Sequence, residues 1–163
     1  MIVLGLDPGI ARTGFGLIEV GRTVSYIRCG CLTTPPSLSS AIRLQTLGED
    51  LTTLIQQFRP ERAVVESIYF GANSKTAIQT AEARGVLIYV LRQHHIEPFE
   101  LTPLQIKSRL TGYGAADKRQ IQHVVTRQLH LDTPPQPDDA ADALAAALCV
   151  AEEPLILPLN SLR

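Results

Sequence analysis

Tryptophan is absent from this chain of 163 residues, methionine occurs once and aromatic residues make up 5%, so its core must be aliphatic. Only three cysteines occur, too few to pair completely. Cys29 and Cys31, two apart in a strand-like run, are expected on one sheet face as small hydrophobes, and Cys149 lies in an alanine-rich stretch. None of His94, His95, His123 or His130 has ligand spacing to these thiols, which argues against a zinc site. Charge of one sign is not in excess either: fifteen Lys plus Arg against sixteen Asp plus Glu leave a net charge of −1. Any polyanion site must therefore be a local patch. Long apolar runs are missing as well. Ala143 to Ala151 is about half a membrane span, and Asp7 interrupts the amino terminus before a signal peptide can form. The expectation is a cytoplasmic protein with no membrane partner.

What is present is the composition of a globular protein, 45% apolar and 19% charged. The length suits one domain, expected over residues 1–152, with a tail at 153–163 that frays because it holds two prolines in eleven residues. Ile2 to Asp7, Gly14 to Val20 and Thr23 to Leu32 are β-branched, apolar runs that predict a strand meander. Ser39 or Ser37 caps a helix to Phe58, whose apolar positions are Ile42, Leu47, Leu51, Leu54 and Ile55. Arg62 to Glu66 reads as a buried strand, Ser74 to His94 as a helix and Glu97 to Leu101 as a strand. Pro103 opens a helix to Leu110, and Gly112-Tyr113-Gly114 forms a flexible joint. Asp117 caps a helix to His130, and a last helix follows Pro137. This order predicts an α/β fold, a mixed sheet covered by helices on both faces.

The acids carry the chemical signal. Asp7 ends one apolar strand and Glu66 another, and ionised carboxylates at buried strand ends require a cation, a donor or a metal. The last helix opens Asp138-Asp139-Ala-Ala-Asp142. Asp139 and Asp142 share a face, as do Asp138 and Asp142, so spacing alone leaves both pairs open. Asp138, directly after Pro137, is the best cap candidate. Asp142 lies among small apolar residues, where a neighbouring carboxylate repels it unless a cation intervenes. Several carboxylates without matching Cys or His suit Mg²⁺ or Mn²⁺, ions that act on phosphoryl groups.

Leu4-Gly-Leu-Asp7-Pro-Gly9 with Thr13-Gly14, then Val64-Val-Glu66, then Asp139-Ala-Ala-Asp142-Ala-Leu144 resemble, in order and spacing, the RuvC family of Holliday junction endonucleases from Met1 to about Ala151. The resemblance implies an RNase H-like fold, a homodimer using the apolar helix around Gly85 to Leu91, and Mg²⁺-dependent paired nicking of four-way junction DNA in recombination and repair. Mn²⁺ is an expected substitute, and branch-migration motor proteins are expected partners. It also implies that Asp7, Glu66, Asp139 and Asp142 hold two ions, with Asp7 bridging them. Water then attacks phosphorus in line, leaving 5′-phosphate and 3′-hydroxyl ends, and Lys118 offsets the developing charge. The family's base-contacting aromatic falls on Tyr69, with Phe70 beside it.

The family's basic residues near the scissile phosphate match Lys107 and Lys118. Pro103 to Arg127 carries Lys107, Arg109, Lys118, Arg119 and Arg127 against the single acid Asp117, which is the local patch the overall balance hides. Lys107, Arg109, Lys118 and Arg119 are the expected DNA contacts there, and Lys75, Arg12 and Arg84 are looser ones. Two other readings compete. An actin-like phosphotransferase shares the Asp-Gly-Thr loop but needs a far longer chain, and a junction-binding protein without activity needs no four carboxylates.

Overall fold

The computed structural model describes residues 1–67 and 74–151, with the backbone alone for 74–76. Tyr69, Phe70, the side chain of Lys75 and the expected tail at 153–163 lie outside the described residues.

Three antiparallel strands open the chain: β1 (Ile2–Asp7), β2 (Arg12–Val20) and β3 (Val24–Thr33). Helix α1 (Ser40–Phe58) crosses to β4 (Arg62–Glu66), and α2 (Ser74–Gln93) crosses to β5 (Pro98–Leu101). Both of these strands run parallel to β1, giving a mixed sheet in the order β3-β2-β1-β4-β5. Three helices complete the described chain, α3 (Pro103–Thr111), α4 (Lys118–Gln128) and α5 (Asp138–Leu148).

The helix boundaries follow local chemistry. Ser39 Oγ accepts from the Ile42 amide, and Arg59 ends α1 in the left-handed region at φ 49° just before Pro60. Thr102 with Gln105 and Asp117 with Gln120 form reciprocal capping boxes at the starts of α3 and α4. Gly112 closes α3 at φ 73°, and Thr111 Oγ bonds both the amide and the carbonyl of Tyr113. The Gly112–Gly114 segment, expected as a flexible joint, is thus a capped turn. Ile42 also departs from expectation: it is exposed, and Arg43 turns inward instead, donating from Nε to Thr34 Oγ at 2.9 Å.

Period-two alternation divides the core between the two faces. Leu4, Leu6, Leu17, Ala63 and Val65 pack with Leu47, Leu51, Leu87 and Leu91 of α1 and α2. Val3, Ile18, Val64 and Leu101 pack with Ile106, Ile121, Val125 and Leu144 of α3, α4 and α5. Helix α5 sits closest to the sheet because both surfaces are nearly bare. A Cβ on Gly5 would stand 1.9 Å from Ala143 O, one on Gly14 2.0 Å from Asp139 O, and one on Gly16 2.6 Å from Leu144 N. The alanines of α5 are buried almost all round, which is why this helix reads as an apolar run. Among the described residues, no helix is long and apolar enough to cross a membrane.

Candidate active site

Asp7 shares the parity of Val3 and Gly5 on β1, and Glu66 that of Val64 on β4, so both carboxylates leave the sheet on the α5 face. Leu6 pairs with Val65 in the parallel ladder. Asp7 and Glu66 are therefore the next residues of adjacent strands, whose backbones run about 4.8 Å apart. The glycine seat of α5 then sets the third acid. With Ala143 held over Gly5, Asp142 is carried to the strand ends, and Asp7, Glu66 and Asp142 line one open cleft of about 230 Å³. Lys107 of α3 and Lys118 of α4 line it too, with Pro103, Ile106, Ile121 and Ala145 as its apolar wall.

Burial and mutual repulsion dominate the electrostatics. Desolvation, followed by the charges of Glu66, Asp142 and Asp139, pushes Asp7 up to about 8 from 3.8. Burial and then Asp142 push Glu66 up to about 7, against the opposing pull of Lys107 and Lys118. Asp142 is also raised, by burial, although Lys118 draws it down. Burial works against the Lys118 charge, yet contacts with Asp138 and Asp142 push its ammonium upward. Nζ lies 3.1 Å from Asp138 Oδ2 and 3.3 Å from Asp142 Oδ2.

Asp138 and Asp139 separate here. Pro137, not Asp138, occupies the position before the first turn of α5, and no side chain caps that helix. The carboxylate of Asp138 is turned instead toward Lys118 and toward Gln122 Nε2 at 3.1 Å. Asp139 stands on the opposite flank, with Oδ2 3.0 Å from Arg12 Nε and 4.0 Å from Cys31 Sγ. Its charge reaches Asp7, although its side chain does not line the cleft. Cys31, expected only as a small hydrophobe, is thus a neighbour of a candidate ligand. Arg12, a looser DNA candidate, is that ligand's ion-pair partner.

The other expected cations lie elsewhere. Arg109 Nη1 donates to Cys149 O at 3.3 Å, near the carboxyl end of α5. Arg119 lines a separate hollow with Tyr113, Gln122 and His123. Arg84 is ion-paired with Glu100. Neither Arg109 nor Arg119 joins Lys107 and Lys118 at the cleft, because 3.6-residue periodicity turns them to other sides of their helices.

The donor set fits a hard divalent cation: carboxylates from three elements, raised by burial and by neighbouring carboxylates, with no thiolate or imidazole lining the cleft among the described residues. Among the described residues, no three of these side chains close into a set that could hold an ion as they stand. The ammonium of Lys118 is the cation in contact with Asp142.

A family profile described as crossover junction endodeoxyribonuclease RuvC matches residues 3–150. The chain belongs to the RuvC family. A RuvC of Natranaerobius thermophilus is 45% identical over 150 residues, 91% of this chain and 93% of the relative. The solved structure of Thermus thermophilus RuvC superimposes with a TM-score of 0.85 at 29% identity, covering 93% of each chain. The same protein solved in complex with a Holliday junction substrate gives 0.84 at 26% identity, again over 93% of both. The fold is accordingly RNase H-like, a mixed sheet with helices on both faces.

Proposed function

We propose that this RuvC-family chain resolves four-way DNA junctions, as a homodimer, by paired metal-dependent nicks that leave 5′-phosphate and 3′-hydroxyl ends. The observation that carries this reading is the meeting of Asp7, Glu66 and Asp142 from three separate elements in one cleft beside Lys107 and Lys118. Asp7, Glu66, Asp139 and Asp142 would hold Mg²⁺, with Mn²⁺ as a substitute, and the bound ions would supply charge neutralisation and a more acidic water.

The chain's own groups account for the rest. Asp7 and Glu66, raised to about 8 and about 7, fall into the fully ionised state when positive charge enters between them. Lys107, which lines the cleft from α3, supplies a point charge for a backbone phosphate. Lys118, which lines it from α4, would offset charge on the phosphate oxygens as the in-line displacement proceeds. Ile106, Ile121 and Ala145 keep bulk water from one side of the cleft and strengthen these interactions. Tyr69 or Phe70 would contact bases at the crossover.

Support for the dimer comes from the outer face of α2. Leu87 and Leu91 are buried, but Ile78 and Tyr89 are 64% and 62% exposed. A two-fold pairing of such a face presents two equivalent clefts to a junction with paired like strands. A cytoplasmic site of action and branch-migration motors as partners belong to the same proposal.

A synthetic immobile junction tests the reading. Wild type should release two nicked duplexes whose ends ligate directly, whereas Asp7→Asn should bind the junction and leave it uncut. Unchanged cleavage by Asp7→Asn overturns it.

A further inference from the structure

Arg12 is anchored more firmly than its exposure suggests. The Asp7–Thr13 turn is stitched by buried hydroxyls: Thr13 Oγ donates to Gly9 O at 2.8 Å and accepts from Gly9 N at 3.3 Å. Thr34 Oγ donates to Ile10 O, the Thr34 amide donates to Ala11 O at 3.2 Å, and Arg43 holds that hydroxyl from behind. Gly9 is needed there, since a Cβ would stand 2.4 Å from Arg12 O. The backbone of Arg12 is therefore fixed relative to Asp7, one strand end away.

From this anchor Nε reaches Asp139 Oδ2 at 3.0 Å. Cys31 Sγ approaches the same oxygen at 4.0 Å. Among the described residues, the contacts of this carboxylate fall on Oδ2, so Oδ1 is the atom left to a ligand. Stability does not explain the arrangement, because a pair 55% and 34% exposed contributes little. Orientation does: carboxylates that bind metals are themselves held by hydrogen bonds, and losing the holder commonly weakens the metal about 10–100-fold.

We propose that Arg12 is a positioning residue for the reaction, clamping Asp139 Oδ2 so that Oδ1 is presented to the divalent ion. The inference rests on the reading of Asp139 as an ion ligand. Arg12 touches neither the ion nor the phosphate in this role.

Direct Mn²⁺ binding, followed by electron paramagnetic resonance of the free ion with the full chain, tests it. Arg12→Ala should weaken Mn²⁺ binding about 10–100-fold, and Arg12→Lys should fall between it and wild type, since a point charge replaces the planar fork only in part. The melting temperature in EDTA should be unchanged in both variants. In an Asp139→Asn background, Arg12→Ala should have no further effect on the ion. Equal affinity in Arg12→Ala and wild type overturns the inference and leaves the metal-site reading standing. So does tighter binding, which would make Arg12 a competitor of the ion. Weakening that persists in the Asp139→Asn background also overturns it, as does loss of junction affinity alone, which would make Arg12 a phosphate contact. Failure of wild type to bind Mn²⁺ overturns both.

Discussion

Lys118 Nζ lies 3.3 Å from Asp142 Oδ2, so a basic side chain is in direct contact with one of the acids that line the cleft. The same ammonium reaches Asp138, outside the cleft, at 3.1 Å. A single cation of α4 thus bridges two acids one turn apart on the same face of α5.

This contact makes Lys118 separable from a general DNA anchor. Lys118→Ala should lower the single-turnover nicking rate about 100-fold, the scale for removing one preorganised transition-state charge, while junction affinity in Ca²⁺ changes severalfold at most. A loss of affinity as large as the loss of rate would place Lys118 among ground-state phosphate contacts.

The two neighbouring acids should also differ. Asp138 pairs with Lys118 and Gln122 away from the cleft, whereas the charge of Asp139 acts on Asp7. Asp139→Asn should abolish nicking in Mg²⁺, and Asp138→Asn should reduce it less than tenfold. The reverse ranking in single-turnover rates would reassign the ligand by one residue.

Stability should depend on pH through Asp7. Its folded carboxyl is raised to about 8 from 3.8, so the folded state holds a proton that the unfolded state has released. Stability from this group is fully present below the unfolded value and is lost as pH rises through the folded one. In EDTA the melting temperature should fall by about 5 °C between pH 5 and pH 8.5, roughly 2 kcal/mol for a chain this size. Asp7→Asn should make the slope shallower, with Glu66, raised to about 7, supplying what remains, and Mg²⁺ should restore the wild-type melting temperature at high pH. Calorimetry across that range decides it; an equally steep slope in Asp7→Asn would assign the titration to another group.

Much of this site was legible in the sequence because strand periodicity needs no tertiary information. An acid ending Ile2–Asp7 and another ending Arg62–Glu66 could be read as strand ends, and the Asp-Ala-Ala-Asp string as one helical face. The different surroundings of Asp138 and Asp139 could not, since they depend on where α5 seats on Gly5, Gly14 and Gly16, a matter of backbone approach between distant segments. Arg109 and Arg119 group with Lys107 and Lys118 in sequence for a different reason: charge counting along a segment ignores the 100° per residue that turns successive side chains apart. The partnership of Arg12 with Asp139 spans most of the chain and left no local signal.

Junction affinity should depend steeply on salt, with Lys107 carrying part of the slope. Each phosphate neutralised contributes about 0.9 to the slope of log K against log salt on duplex DNA. Lys107→Ala should weaken binding to all junction sequences alike and lower that slope by about 1. Fluorescence anisotropy from 50 to 300 mM salt measures it, and an unchanged slope would remove Lys107 from the phosphate contacts.

The seat of α5 should be the least tolerant part of the fold. A Cβ on Gly5 would stand 1.9 Å from Ala143 O, backbone against backbone, so no rotamer change can relieve it. Gly5→Ala should cost about 3 kcal/mol, the upper end for overpacking a core, and lower the melting temperature by about 6–12 °C. Gly21→Ala is the control, because its added Cβ meets nothing nearer than Thr23 O at 3.8 Å, and it should change stability by less than about 1 kcal/mol. Lifting α5 also lifts Asp139 and Asp142 from the strand ends, so Gly5→Ala should need a higher Mg²⁺ concentration for half-maximal nicking even well below its melting temperature. A destabilised Gly5→Ala with an unshifted Mg²⁺ requirement would mean that the helix relaxes along its axis without moving its acids.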